Sequence, residues 1–180
     1  TMPYSILITS PSLNPDDNVS GIANHTRLLI SSNRDIDYTH LVVGRKDHEK
    51  RNLTWILRQT RLMANFFLLA RRVDLVHLNI PLARFSLYIN YALALICKLA
   101  KIKYIAHFRG GELNLNEKMS VLQLRIICFF LRNATRVIVQ GNKEKFFYSK
   151  LSEQNFSPRI DPIPNAVKVN NLSNQSLKKR

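Results

Sequence analysis

The 180-residue chain has few acidic residues, few cysteines and no long apolar run. Its 12 Asp and Glu residues stand against 27 Lys and Arg, which gives a formal net charge of +15. This surplus favours anionic partners such as nucleic acid, acidic lipid or phosphorylated substrates. The longest apolar run, residues 85–97, is interrupted by Ser86 and Asn90. A membrane-spanning helix needs about 20 apolar residues, so we predict none here.

The two cysteines restrict the class of protein further. Cys97 and Cys128 lie in apolar helical patterns, which favours reduced core thiols in a cytosolic protein over a disulfide. No Cys/His spacing typical of a metal site occurs, so we expect no metal. The apolar run 6–8 is too short for a signal peptide. A length of 180 residues with 46% hydrophobic residues indicates one globular domain with a sizeable core.

Hydrophobic patterning alternates between strands and helices along nearly the whole chain. The predicted strands are 4–9, 38–44, 73–80, 103–108, 135–140 and 159–163. The predicted helices are 20–32, 52–72, 85–100, 117–132 and 142–151. This alternation predicts right-handed βαβ units, and hence an α/β fold with a Rossmann-like parallel sheet flanked by helices. Residues 170–180 are polar and aperiodic, so we assign 1–169 to the domain and 170–180 to a linker or frayed tail.

A glycine pair follows the fourth predicted strand. Gly110 and Gly111 are flanked by Arg109 and Glu112, and His107 precedes Arg109 by two residues. Open α/β sheets bind ligands at the carboxyl ends of their strands, which favours a loop facing a sugar or a phosphate. Arg109 is suited to clamp a phosphate or carboxylate. The alternatives are a tight turn and a surface salt bridge between Arg109 and Glu112.

Polar residues also occur at the start of the first predicted helix and near the end of the third predicted strand. Ser20 and Gly21 open the first helix, where free N–H groups suit a phosphate or a sugar hydroxyl. A single glycine is not the dinucleotide fingerprint, and a plain N-cap is the alternative. His77 and Asn79 are two residues apart on the third strand and so share one face. A hydrogen-bonded core histidine is the alternative for His77.

The second helix combines a basic stripe with an extra apolar strip. With successive helix residues placed about 100° apart, four arginines and one asparagine fall within an arc of about 80°. They are Arg51, Arg58, Arg61, Asn65 and Arg72. Bordering that stripe are Trp55, Leu62, Phe66 and Leu69. We expect the core-facing side chains to be Ile56, Leu57, Met63 and Phe67. This pattern is typical of an interfacial helix on anionic lipid, and the alternative is a solvated basic face beside a wide core stripe.

Taken in order, five segments resemble the N-terminal half of a GT-B glycosyltransferase of the retaining family 4 type. They are residues 20–22, 74–79, 108–113, 134–140 and 163–167, and the resemblance covers about 4–169. The chain departs from the family pattern at four positions. Ser20 replaces the usual first glycine, Asn79 the second histidine, Arg109 the histidine that approaches the donor sugar, and Ala166 the linker glycine.

The resemblance implies transfer of a sugar, with retention and without a metal or other cofactor, from a nucleotide-sugar to a glycan or lipid-linked acceptor. Such transfer serves bacterial polysaccharide or glycolipid biosynthesis. It implies that Arg109 takes a catalytic position and that Gly21 and its neighbours approach the donor phosphates or the acceptor. The cleft would be lined by Ser20, His77, Asn79, His107, Gly110, Gly111, Glu112 and Asn165.

In this family a C-terminal domain holds the nucleotide-sugar, so we expect the chain to be part of a protein about twice as long and inactive alone. We expect the second helix to dock on the inner membrane from the cytoplasmic side, through Arg51, Trp55, Arg58, Arg61, Leu62 and Phe66. One alternative is a membrane-docked subunit that recruits a separate donor-binding chain. A nucleic-acid-binding protein is another, although no nucleic-acid motif is present.

Overall fold

Strands and helices alternate in a computed structural model that describes residues 3–17, 20–44, 53–110, 119–152 and 159–164. The strands are β1 (Tyr4–Ser10), β2 (Ile36–Val42), β3 (Leu75–Pro81), β4 (Tyr104–Arg109), β5 (Arg136–Val139) and β6 (Ile160–Pro162). The helices are α1 (Gly21–Ser32), α2 (Leu53–Ala70), α3 (Arg84–Leu99), α4 (Val121–Asn133) and α5 (Asn142–Ser152). The predicted α/β class and order of elements are confirmed.

The six strands form one parallel sheet in the order β2-β1-β3-β4-β5-β6. The direction of chain progression reverses at β1, because β2 lies on one side of it and β3 on the other. Right-handed crossovers therefore place α1 on one face of the sheet and α2 to α5 on the other. Consecutive helices of the second group pack side by side. The carboxyl ends of β1 and β3 flank the crevice where such sheets bind ligands.

The main hydrophobic core lies between the sheet and the layer α2 to α5. Leu7, Val76 and Ala106 alternate with residues of the opposite face and are fully buried. Phe108 stacks on Tyr148 with ring centroids 4.9 Å apart and packs edge-on against Phe130 at 5.8 Å. Because this face takes the large apolar side chains, the alternate positions of the same strands remain available for polar residues.

Both cysteines are free thiols, but only Cys97 lies in the core as predicted, whereas Cys128 is partly exposed. Cys97 belongs to the buried core, and burial raises the pKa of its thiol to about 12. Its reactivity is correspondingly low, because the thiolate is the reactive form.

Most observed element boundaries differ from the sequence-based ones by one or two residues, and the start of α4 differs by four. Strand β2 begins at Ile36 and ends at Val42, two residues earlier at each end than predicted. Helix α4 begins at Val121 rather than at 117, because Ser120 accepts a hydrogen bond from the N–H of Gln123. The Gln123 side chain accepts in return from the Ser120 N–H at 2.9 Å, which completes a capping box. The tail assigned to 170–180 lies outside the described residues.

Candidate functional site

Four polar residues predicted for the site lie together on the α1 face of the sheet. In the register of β3 and β4, Asn79 pairs with His107, and Pro81 pairs with Arg109. His77 and Asn79 therefore share their face with His107 and Arg109, as the two-residue spacing predicts. All four are at least 90% buried.

Arg109 and Asn79 form a buried hydrogen-bonded pair at the carboxyl edge of the sheet. Arg109 donates from Nε and Nη2 to Asn79 Oδ1, at 3.0 and 2.8 Å. Asn79 Nδ2 donates in turn to the backbone oxygen of Thr9 at 2.8 Å, which ties β3 to β1. Arg109 is only 3% exposed, so the surface interpretation of its side chain is wrong. Burial lowers the pKa of Arg109 to about 10, which leaves it a cation at neutral pH.

Three histidines pack behind this pair. His77 Nε2 lies 3.1 Å from His107 Nδ1, and the two rings stack with centroids 5.3 Å apart. His25 of α1 contacts the His107 ring edge-on at 5.8 Å. His77 is thus a hydrogen-bonded core histidine. His107 Nε2 is buried and has no hydrogen-bond partner among the described residues.

The histidines are held in their neutral form. Burial, followed by the positive charge of Arg109, lowers the pKa of His77 to about 3 and that of His25 to about 4. The same two causes, in that order, hold the pKa of His107 far below its usual value. At neutral pH the cluster therefore presents a single positive charge, that of Arg109, beside uncharged imidazoles.

At the start of α1, Ser20 forms the N-cap that the sequence offered as the alternative to a ligand-binding loop. Ser20 Oγ accepts from the N–H of Ala23 at 3.3 Å, and the first turn of the helix contains no acidic residue. A Cβ atom added to Gly21 would meet nothing within 4 Å, so the described residues leave room for a side chain here. A phosphate or hydroxyl ligand at this helix start stays a prediction.

Gly110 confirms that the backbone turns sharply after β4. Its φ of +139° is one that residues with a side chain rarely adopt. Its N–H donates to Gln140 Oε1 at 3.4 Å. Gly111, Glu112 and Asn165 lie outside the described residues.

Sequence reasoning missed two members of the site. His25 lies one helical turn after Gly21, and Thr9 lies near the end of β1. The sequence does place His25 on the helix that follows a candidate ligand loop, but its contact with His107 is a tertiary one. The hydrogen bonds of Thr9 to β3 depend on the sheet order.

The proposed membrane face of α2 needs correction. Phe66 is fully buried in the core and Leu62 packs against that core, so neither belongs to an outward strip. Conversely, Leu57 and Phe67 were expected to face inward and are 55% and 37% exposed. Met63 does pack against the core, as expected. Arg51 and the side chain of Trp55 lie outside the described part.

The exposed surface formed by α2 and the end of α3 is both apolar and basic. Leu68 is 56% and Leu99 is 76% exposed, and Phe67 and Leu99 line one open cavity with Arg71. The Arg71 guanidinium lies 5.4 Å from the centre of the Phe67 ring. Arg58 and Arg61 are also exposed. The sequence has no acidic residue from 51 to 73 or from 75 to 111.

In the part of the chain that the structure describes, no helix has the length and apolarity needed to cross a membrane. Within the same residues, no group of three or more His, Cys, Asp or Glu side chains is placed to hold a metal ion. Comparison of the chain with protein-family models and with curated proteins finds no match.

Proposed function

We propose that this chain is the acceptor-side domain of a retaining glycosyltransferase of the GT-B type. It would work with a donor-binding domain that supplies the nucleotide-sugar, and the sugar would pass to a glycan or a lipid-linked acceptor. Support comes from five family-like segments in the expected order on a parallel α/β sheet. The observation that carries the proposal is the buried pair of Arg109 and Asn79 at the carboxyl edge of that sheet.

The chemistry of the pair suits an anionic donor. Asn79 orients the guanidinium of Arg109 through a neutral amide oxygen, which does not itself neutralise the cation. A fixed cation can stabilise negative charge that develops on a departing diphosphate. It cannot act as a general base, because it stays protonated. The neutral imidazoles of His77 and His107 add no competing charge behind it.

The test measures sugar transfer by the chain together with its donor-binding domain, whether that domain is covalently linked or a separate subunit. We expect negligible transfer by the chain alone. In the assembled enzyme, Arg109→Met should lower kcat by about 10²–10³, the usual loss when one preorganised electrostatic group is removed. Wild-type transfer by Arg109→Met, or no transfer by the assembled protein, would contradict the proposal.

We further propose that the protein attaches peripherally to the anionic cytoplasmic face of a membrane, where lipid-linked acceptors reside. The surface that supports this is the exposed one of α2 and α3, with Leu68 and Leu99 beside Arg61 and Arg71. Apolar side chains flanked by cations and free of acidic residues suit an anionic lipid interface. Phe66 has no part in it.

Vesicle flotation at physiological salt tests this attachment. We expect the protein to float with phosphatidylglycerol vesicles and not with phosphatidylcholine vesicles, and the double variant Arg61→Glu with Leu68→Ser to lose flotation. Lys145→Glu is the charge-matched control, because Lys145 is exposed on α5. Equal flotation of the two variants would refute the assigned surface. Duplex DNA binding without vesicle binding would favour the nucleic-acid alternative.

A further inference from the structure

A basic groove of about 450 Å³ lies between α3 and α4. Three of its lining residues are cations, Lys98 from α3 and Arg125 and Arg132 from α4, and all three are exposed. None of the described residues that line it is acidic. The groove shares no residue with the candidate site around Arg109, so it is a separate feature of the molecule.

The positive charge of the groove has no acidic counterpart on the two helices that form it. The sequence contains no acidic residue from 75 to 111 or from 118 to 143, and these stretches contain all of α3 and α4. In the described part of the chain, no salt bridge involves Lys98 or Arg125. Arg125 and Arg132 are two turns apart on one face of α4, which separates them by about 10 Å along its axis. Positive charge therefore extends along the groove.

Aromatic rings position one of these cations. The Lys98 ammonium lies 5.2 Å from the centre of the Phe129 ring, and Tyr91 packs edge-on against the same ring at 4.9 Å. The ring attracts the ammonium through its quadrupole but bears no net charge. This contact thus orients Lys98 at the wall of the groove without neutralising it.

The groove also offers apolar surface, which a small inorganic anion would leave in water. Val121 is 67% exposed and lines the groove together with Leu124. Lys98 lines this groove, and its sequence neighbour Leu99 lines the cavity that contains Phe67 of α2. The groove is therefore continuous with the apolar and basic surface of α2 and α3. A ligand that joins an anionic group to an apolar body fits both features, and anionic membrane lipids have this structure.

We propose that the groove between α3 and α4 binds the phosphate headgroup of an anionic lipid, with the apolar part of the lipid against Val121 and Leu124. The phosphate oxygens would accept charge-assisted hydrogen bonds from the cations of the groove. The preference for an anion with an apolar body follows from the groove alone. That the lipid is presented by a membrane rests on the proposed attachment, to which this site adds recognition of the headgroup.

The test titrates the 180-residue chain with dihexanoyl-phosphatidylglycerol below its micellar concentration, followed by ligand-observed NMR. Lys98→Gln with Arg125→Gln removes two cations from the groove, and we expect this double variant to bind the lipid at least about tenfold more weakly. Lys145→Gln with Lys150→Gln on α5 is the matched control, because it removes the same charge from exposed positions. Lys150, like Lys98, lies in the last turn of its helix and over a phenylalanine ring, at 4.5 Å. The control should bind the lipid like the wild type.

Several results would overturn the inference. They are no binding of the lipid by the wild type, equal weakening in the two double variants, and equal binding of the zwitterionic dihexanoyl-phosphatidylcholine. Inorganic phosphate that binds as tightly as the lipid would assign the groove to a free anion instead. Displacement of the lipid by duplex DNA would assign it to nucleic acid. A thermal melt of each variant ensures that loss of binding is not loss of folding.

The outcome is separate from that of the proposed function, because the short-chain lipid is in solution and no sugar is transferred. Lipid binding that depends on Lys98 and Arg125 would stand even if the protein did not float with vesicles or the assembled enzyme transferred no sugar. Flotation that depends on Arg61 and Leu68, without binding of the short-chain lipid, would refute this inference alone.

Discussion

Replacing Asn79 by leucine tests the central contact of the candidate site. The substitution keeps the approximate volume but removes the oxygen that accepts both Arg109 hydrogen bonds, and the donor to the Thr9 carbonyl. Hydrogen bonds to charged groups contribute about 1.5–3 kcal/mol, and a neutral one about 1 kcal/mol. Leaving a buried donor without an acceptor costs about 1–3 kcal/mol, and more when the donor is charged. Arg109 keeps other contacts, so we expect a loss of about 3 kcal/mol.

A loss of this size is readily measured. A domain of this length loses about 2–4 °C in Tm for each kcal/mol, so Asn79→Leu should melt about 6–12 °C lower. Urea unfolding followed by far-UV circular dichroism gives the free energy of unfolding directly. Asn65→Leu is the control, because Asn65 is exposed on α2 and such changes stay within about 0.5 kcal/mol.

A double-mutant cycle with Arg109→Met isolates the interaction itself. If Arg109 and Asn79 interact as the structure shows, the double variant should be more stable than the sum of the single losses predicts, by at least about 1.5 kcal/mol. Additivity within about 0.5 kcal/mol, or a loss below about 1 kcal/mol in Asn79→Leu, would refute the argument that this contact organises the site.

Two further outcomes concern the histidines and the turn after β4. The lowered pKa values of His25, His77 and His107 mean that below pH 6.5 the unfolded chain binds protons that the folded protein does not. The free energy of unfolding should therefore fall from pH 6.5 to 5, by at most about 1.4 kcal/mol per pH unit for each histidine; urea midpoints that stay constant over this range would contradict it. Gly110→Ala should lower the free energy of unfolding by about 1–3 kcal/mol, because its φ is +139°. In the same urea assay, Gly21→Ala should leave the free energy of unfolding nearly unchanged, because the added methyl group meets no other atom within 4 Å. Equal losses in the two variants would refute the argument from the φ angle of Gly110.

The sequence predicts the sheet better than it predicts the helix faces. Strands β3 and β4 carry apolar residues that alternate with polar ones, and the two-residue period then fixes which side chains share a face. His77, Asn79, His107 and Arg109 could be grouped on that basis alone. The two-residue period does not show which helix residues pack on that face of the sheet. The contact of His25 with His107 could therefore not be predicted from it.

Helix α2 shows where periodicity fails. Apolar residues occur almost all round it, so two different stripes satisfy a 3.6-residue repeat about equally well. Phe66 and Phe67 are adjacent in sequence, yet the first is 0% and the second 37% exposed. The choice between them is made by packing against α3 and the sheet, which no pattern within the helix contains. The start of α4 is different, because the pair Ser120 and Gln123 is a capping-box signal that the sequence does display.

Two of the positions at which the chain departs from the glycosyltransferase pattern that it resembles, Asn79 and Arg109, belong to one hydrogen-bonded unit. A neutral imidazole at position 79 offers one acceptor nitrogen, whereas the amide oxygen of Asn79 has two lone pairs and accepts both Nε–H and Nη2–H of Arg109. A protonated imidazole there would repel the guanidinium. Because the acceptor is an amide and not a carboxylate, Arg109 is oriented by this contact without being neutralised by it. An asparagine at position 79 thus suits a buried, charged arginine at position 109, because its amide oxygen accepts two guanidinium N–H groups at once.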